Sequence, residues 1–129
     1  MILVDTSVWV DHLRAGDPIL VALLERNEVL AHPWVIGELA LGNLRQRSEV
    51  ISLLAGLPQA VLATPAEVLA LIDHAKLSGI GIGYVDAQLL AATKLTAGSG
   101  LWTHDRRLRA AAVGLGCAFA PSARAEPST

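Results

Sequence analysis

The chain has 129 residues, which suits one domain, and its 53% hydrophobic content allows a sizeable core built from Leu, Val, Ile and Ala rather than from the 4% that are aromatic. A single cysteine excludes an internal disulfide and fits a reducing compartment. The formal charge of −2 argues against a general basic nucleic-acid binder, although with four of the twelve acids set aside ten basic side chains face eight acidic ones.

The apolar run Ile2-Leu3-Val4 stops at Asp5 and reads as a short strand buried on both faces. A helix over 7–14 follows, with Thr6 or Ser7 available to cap it. Gly16-Asp17-Pro18 breaks the chain and opens a second helix reaching about residue 27, with Pro18 in its first turn. A strand is expected over 29–31, and helices over 33–43 and 48–55. Residues 60–63 read as a weak third strand. Thr64, Pro65 and Glu67 form a helix-start signature, and that helix is expected to end near Ser78-Gly79. The pattern closes with a helix over 84–97, a strand over 100–103, a helix over 105–113 and an edge strand over 118–120.

Strands separated by helices imply parallel βαβ units and an α/β fold. The expected architecture is a three-layer sandwich with a central, mainly parallel sheet flanked by helices. Residues 1–120 are expected to form one domain, and 121–129, polar with two prolines, a disordered tail. No apolar segment is long enough to span a bilayer, and the N-terminus lacks the features of a signal peptide, so a cytoplasmic protein with no membrane partner is expected.

Four acids stand out. Asp5 lies just past the carboxyl end of the first strand, where parallel α/β sheets place their working residues, although it is also placed to cap the next helix. Glu38 is the only ionisable group in the apolar stretch 34–41, and a lone carboxylate buried there would need a partner or a cation. Asp86 interrupts an apolar segment at a helix N-terminus, where the helix dipole alone would favour it. Asp105 follows the strand ending Leu101-Trp102-Thr103, in the position that matches Asp5.

Two unit charges about 5 Å apart at an effective dielectric of about 20 repel by roughly 3 kcal/mol, so four carboxylates at one sheet edge need protons or cations. At least one of them is expected to titrate above its usual value. Oxygen-only ligands select Mg²⁺ or Mn²⁺ over zinc, and Mg²⁺ keeps waters that leave room for a phosphate. That combination suits metal-assisted phosphodiester cleavage.

Other features read as structural. Gly79-Ile80-Gly81-Ile82-Gly83 lacks the spacing of a dinucleotide fingerprint and reads as a flexible loop before Asp86. His12, His32 and His74 show no metal-ligand spacing, and His104 reads as a surface histidine. Trp9, Trp34 and Trp102 are expected in the core, and Cys117 as a buried thiol. Arg106 and Arg107, beside Asp105, are the strongest candidates for backbone phosphate contacts.

The Asp5-Thr6-Ser7 opening, Glu38 on its apolar helix, the segment from Gly81 through Asp86 to Ala92, and Thr103-His104-Asp105 together resemble the PIN-domain ribonucleases. Among these, the pattern is similar to the VapC toxins of bacterial VapBC toxin–antitoxin pairs, over roughly residues 1–120. The resemblance implies a Mg²⁺- or Mn²⁺-dependent endoribonuclease whose acidic, metal-binding set is Asp5, Glu38, Asp86 and Asp105, supported by Ser7 and Thr103. It also implies a structured RNA substrate such as tRNA, a VapB-type antitoxin that blocks the site, and a homodimer. Two other classes fit one acid after the first strand. A haloacid-dehalogenase-type phosphatase wants a second aspartate where Ser7 stands, and a receiver-like module would only hold a cation.

Overall fold

The computed structural model describes residues 1–121. Strand β1 (Ile2–Val4) is the middle of a three-stranded parallel sheet, flanked by β2 (Val29–Leu30) and β3 (Gly100–Trp102). Leu3 pairs with Leu30 on one side and Leu101 on the other, and Val4 pairs with Trp102. All five side chains are buried, as expected for a central strand covered on both faces. Among the described residues seven helices surround the sheet: α1 (Thr6–Ala15), α2 (Pro18–Glu25), α3 (Pro33–Leu41), α4 (Arg47–Ala55), α5 (Pro65–His74), α6 (Tyr84–Leu95) and α7 (Arg106–Gly114). The expected α/β sandwich is the observed one.

Helix α6 explains the apolar segment after Asp86. Every residue from Ala87 to Thr93 is buried, the mark of a helix enclosed on all sides rather than one lying on a surface. Thr93 satisfies its hydroxyl within the helix by donating to the Leu89 carbonyl at 2.8 Å. The main core gathers Leu3 and Val4 of β1, Val8 and Trp9 of α1, and Leu89 and Leu90 of α6.

Two expected strands shrink to single parallel bridges, Ala31 with Gln59 and Leu101 with Ala118. The ladder beside β2 ends because the Val61 N–H turns away to the Thr96 hydroxyl at 2.9 Å. The one beside β3 ends as the chain reaches Pro121, which has no N–H to donate. Helix α5 opens with the expected capping box, Glu67 N–H to Thr64 Oγ1 at 3.1 Å and Thr64 N–H to Glu67 Oε1 at 2.8 Å. It ends at His74, earlier than the sequence suggests. Lys76 takes a left-handed φ of 56° and the Leu77 N–H closes on the Ile72 carbonyl at 2.9 Å, a Schellman stop.

Trp9 and Trp102 are in the core as expected, but Trp34 is 46% exposed. Cys117 is a buried free thiol, and burial pushes its pKa up, which makes it a poor nucleophile. The tail expected over 121–129 lies, apart from Pro121, outside the described residues.

Candidate functional site

The site grows from the register of β1 and β3. Because Val4 pairs with Trp102 and the Asp5 N–H donates to the Trp102 carbonyl at 2.9 Å, Asp5 and Thr103 emerge side by side at the carboxyl end of the sheet. Asp5 occupies the N-cap position of α1 but makes no side-chain cap, and neither Thr6 nor Ser7 caps the helix either. The carboxylate is instead held by two hydroxyls. Ser7 Oγ and Thr103 Oγ1 both donate to Asp5 Oδ2, each at 2.7 Å. Backbone N–H groups fix these hydroxyls in turn: His104 N–H donates to Ser7 Oγ and Asp105 N–H to Thr103 Oγ1, both at 3.0 Å. With the lone pairs so occupied, each hydroxyl proton is aimed at Asp5.

Glu38 is exposed, not buried as its apolar surroundings suggested. The apolar stretch arises because Val35 and Leu39 face the core, while Glu38 lies at the solvent edge of that face, against Thr6 of α1. Thr6 Oγ1 donates to Glu38 Oε1 at 2.5 Å. The sequence offers Thr6 as a helix cap, and this bond is an addition from the fold. Nothing local to Asp5-Thr6-Ser7 indicates a partner 32 residues away.

Asp86 is half-buried on the first turn of α6, where its Oδ2 accepts the Gly83 N–H at 3.1 Å. Burial pushes its pKa up. The negative charges of Asp5, Asp105 and Glu38 push it further in the same direction, and the Gly83 N–H opposes them. The like-charge repulsion expected from the sequence is therefore present, although desolvation is the larger cause. Asp105 is exposed and caps α7, with Oδ1 accepting the Leu108 N–H at 2.9 Å. Its capping role and its nearness to Asp86 are both real.

Each of the four carboxylates thus commits one oxygen to the protein: Asp5 Oδ2, Glu38 Oε1, Asp86 Oδ2 and Asp105 Oδ1. No hydrogen bond among the described residues engages the second oxygen of any of them. Nor, among the described residues, do three acidic, histidine or cysteine side chains converge closely enough to hold a cation alone. This is an open arc of oxygen donors, not a closed cage. It fits a hard divalent cation such as Mg²⁺, which takes one or two carboxylates and keeps several waters. It does not fit zinc, which prefers nitrogen and sulfur ligands in tetrahedral sites.

Around this arc, His104 Nδ1 lies 2.5 Å from Asp11 Oδ2 and the ring meets Trp102 edge-on. His104 is at the surface as expected, but the Asp11 pairing was not foreseen. His32, just past β2, is wholly buried and caps α3 by accepting the Trp34 N–H at 3.1 Å, and burial pushes its pKa down. Arg106 and Arg107 sit on the exposed first turn of α7.

The chain that carries these acids and the hydroxyl clamp matches the PIN domain family over residues 2–114. The chain belongs to that family, as a VapC-type member. It is 52% identical over 120 residues to proteins named Ribonuclease VapC32 from two strains of Mycobacterium tuberculosis. The match covers 93% of this chain and 97% of each relative.

Proposed function

We propose that the protein is a divalent-metal-dependent endoribonuclease toxin that hydrolyses a phosphodiester bond of cellular RNA and is held inactive by a VapB-type antitoxin. The observation that carries this reading is the electrostatic convergence on Asp86. A half-buried carboxylate repelled at once by Asp5, Asp105 and Glu38 is costly unless a cation joins it. The ribonuclease name of the relatives supports the substrate class.

Asp5, Glu38, Asp86 and Asp105 would hold Mg²⁺ or Mn²⁺ through their uncommitted oxygens. When bound, the cation activates a water and offsets charge on the phosphate. The chain's own residues supply the rest. Ser7 and Thr103 fix Asp5 in one rotamer, Thr6 fixes Glu38, and the Gly83 N–H fixes Asp86. Arg106 and Arg107 meet the flanking phosphates. The phosphorus–3′-oxygen bond breaks, leaving a 5′-phosphate and a 3′-hydroxyl. The active unit is residues 1–120, working as a cytoplasmic homodimer on a structured RNA such as tRNA. No helix among the described residues is long and apolar enough to cross a membrane.

The phosphatase alternative loses ground because Ser7, standing where that chemistry needs an aspartate, is spent on Asp5. The test offers the purified chain, freed of antitoxin, both RNA and small phosphoesters in Mn²⁺. RNA fragments with 5′-phosphate ends support the proposal. Phosphate release from the small esters with intact RNA overturns it.

A further inference from the structure

A cavity of about 570 Å³ lies between the end of α5 and α7, and of its lining only Arg107 belongs to the site described above. His74, Lys76 and Arg107 line it, together with an apolar floor that includes Ile80, Ala110 and Leu115. No carboxylate lines it, although the whole chain carries a net negative charge. Among the described residues neither Lys76 nor Arg107 pairs with an acid. Its volume lies in the range of small-ligand sites.

Two details connect this cavity to the acidic arc. Arg107 lies across Gly81, where an added Cβ would meet its Nη1 at 2.5 Å and its Cδ at 2.9 Å. Gly81 is two residues before Gly83, whose N–H holds Asp86, and Arg107 is two residues after Asp105. The same loop and the same helix turn therefore border both sites. In addition, Lys76 holds a left-handed backbone that glycine or asparagine would adopt at lower cost. The residue at this helix stop is thus a cation, and it lines the cavity.

A ligand that suits cations above an apolar floor, next to a phosphodiester-cleaving site, has an anionic group and a flat apolar body. We propose that this cavity seats one nucleotide of the RNA strand flanking the scissile bond, with its phosphate on Lys76 and Arg107 and its base on the apolar floor. This assignment rests on the ribonuclease reading. It adds where the strand runs after leaving the acids, on the α5–α7 side of the site. The cations would track the backbone as in other single-strand grooves, while the base gains by burying its apolar face on the aliphatic floor.

The test measures binding of a fluorescent single-stranded RNA oligonucleotide in Ca²⁺ across a salt series, with near-ultraviolet circular dichroism as the check on folding. Lys76→Ala and Arg107→Ala are each expected to weaken binding several-fold and to lower the salt slope, by up to about 0.7 for the one phosphate they share. Ala110→Trp, which fills the floor, is expected to weaken binding with the slope unchanged. Cleavage of a dinucleotide too short to reach the cavity is expected to be the same for Lys76→Ala as for the parent. Parent protein that binds and cuts RNA, with affinity and slope unchanged in Lys76→Ala, overturns the cavity assignment and leaves the ribonuclease reading standing. Parent protein that neither binds nor cuts RNA overturns both. Loss of antitoxin binding in Lys76→Ala with RNA binding intact makes the cavity a protein-docking site and overturns the assignment.

Discussion

Thr103 donates its hydroxyl to Asp5 Oδ2 at 2.7 Å across 98 residues of chain, locking together the carboxyl ends of two neighbouring strands. Ser7 donates to the same oxygen from the first turn of α1. The carboxylate is thereby held in one orientation with one oxygen to spare, and the sheet register becomes part of the site's geometry.

Thr103→Val keeps the shape of the side chain and removes this bond. The expected cost is about 1.5 kcal/mol in denaturant unfolding, since the acceptor is charged and buried. RNA cleavage should fall roughly 10–100-fold, as when other supports of metal ligands are removed. Thr103→Ser should restore most of both. Unchanged cleavage in Thr103→Val would mean that Asp5 needs no clamp.

Thr6→Val tests the corresponding support of Glu38. The pair is exposed, so stability should change little. Cleavage or Mn²⁺ affinity should still drop roughly tenfold, because Glu38 loses its fixed orientation. A large stability loss with unchanged Mn²⁺ affinity would make the Thr6–Glu38 bond merely a tie between α1 and α3.

Asp86 makes metal-free stability depend on pH. Its folded-state pKa is raised above the ordinary aspartate value of 3.8, so the native state binds the proton more tightly than the unfolded chain. The stabilising contribution is full below pH 3.8 and is lost as pH rises through the raised folded value. In chelator, Asp86→Asn should therefore become increasingly more stable than the parent as pH climbs above 3.8, with the gap narrowing when Mg²⁺ is added. A gap that stays constant with pH would remove Asp86 from the cluster.

Asp105 has two roles that one pair of variants separates. Asparagine caps helices as well as aspartate does, whereas alanine costs about 1 kcal/mol. Asp105→Asn should keep the stability of α7 and lose Mn²⁺ affinity. Asp105→Ala should lose both. Full Mn²⁺ affinity in Asp105→Asn would leave only the cap.

Much of this site was legible because chemistry and periodicity coincide in short segments. An apolar run ended by Asp5, and a helix apolar on all sides after Asp86, are local patterns whose physical causes lie within a few residues. Glu38 was found for a reason that proved incomplete: its neighbours Val35 and Leu39 are buried, but Glu38 itself is not. Thr6, the Asp11–His104 pair and the cavity at Lys76 were not legible, because each depends on elements meeting across the fold. The expected strand at 60–63 stops where the Val61 N–H turns to Thr96, and the one at 118–120 where Pro121 has no N–H to donate. The end of α5 was misplaced because a left-handed lysine is a rarer stop than the glycine at 79.

The most direct measurement is cleavage of RNA by the purified, antitoxin-free chain, in Mn²⁺, in chelator, and as Asp5→Asn. The expected result is cutting in Mn²⁺, loss in chelator with recovery on adding metal back, and a fall of more than about a hundredfold in Asp5→Asn, beyond the loss typical of a supporting residue. RNA cleavage that persists in chelator, or that Asp5→Asn retains in full, would contradict a metal site built on Asp5.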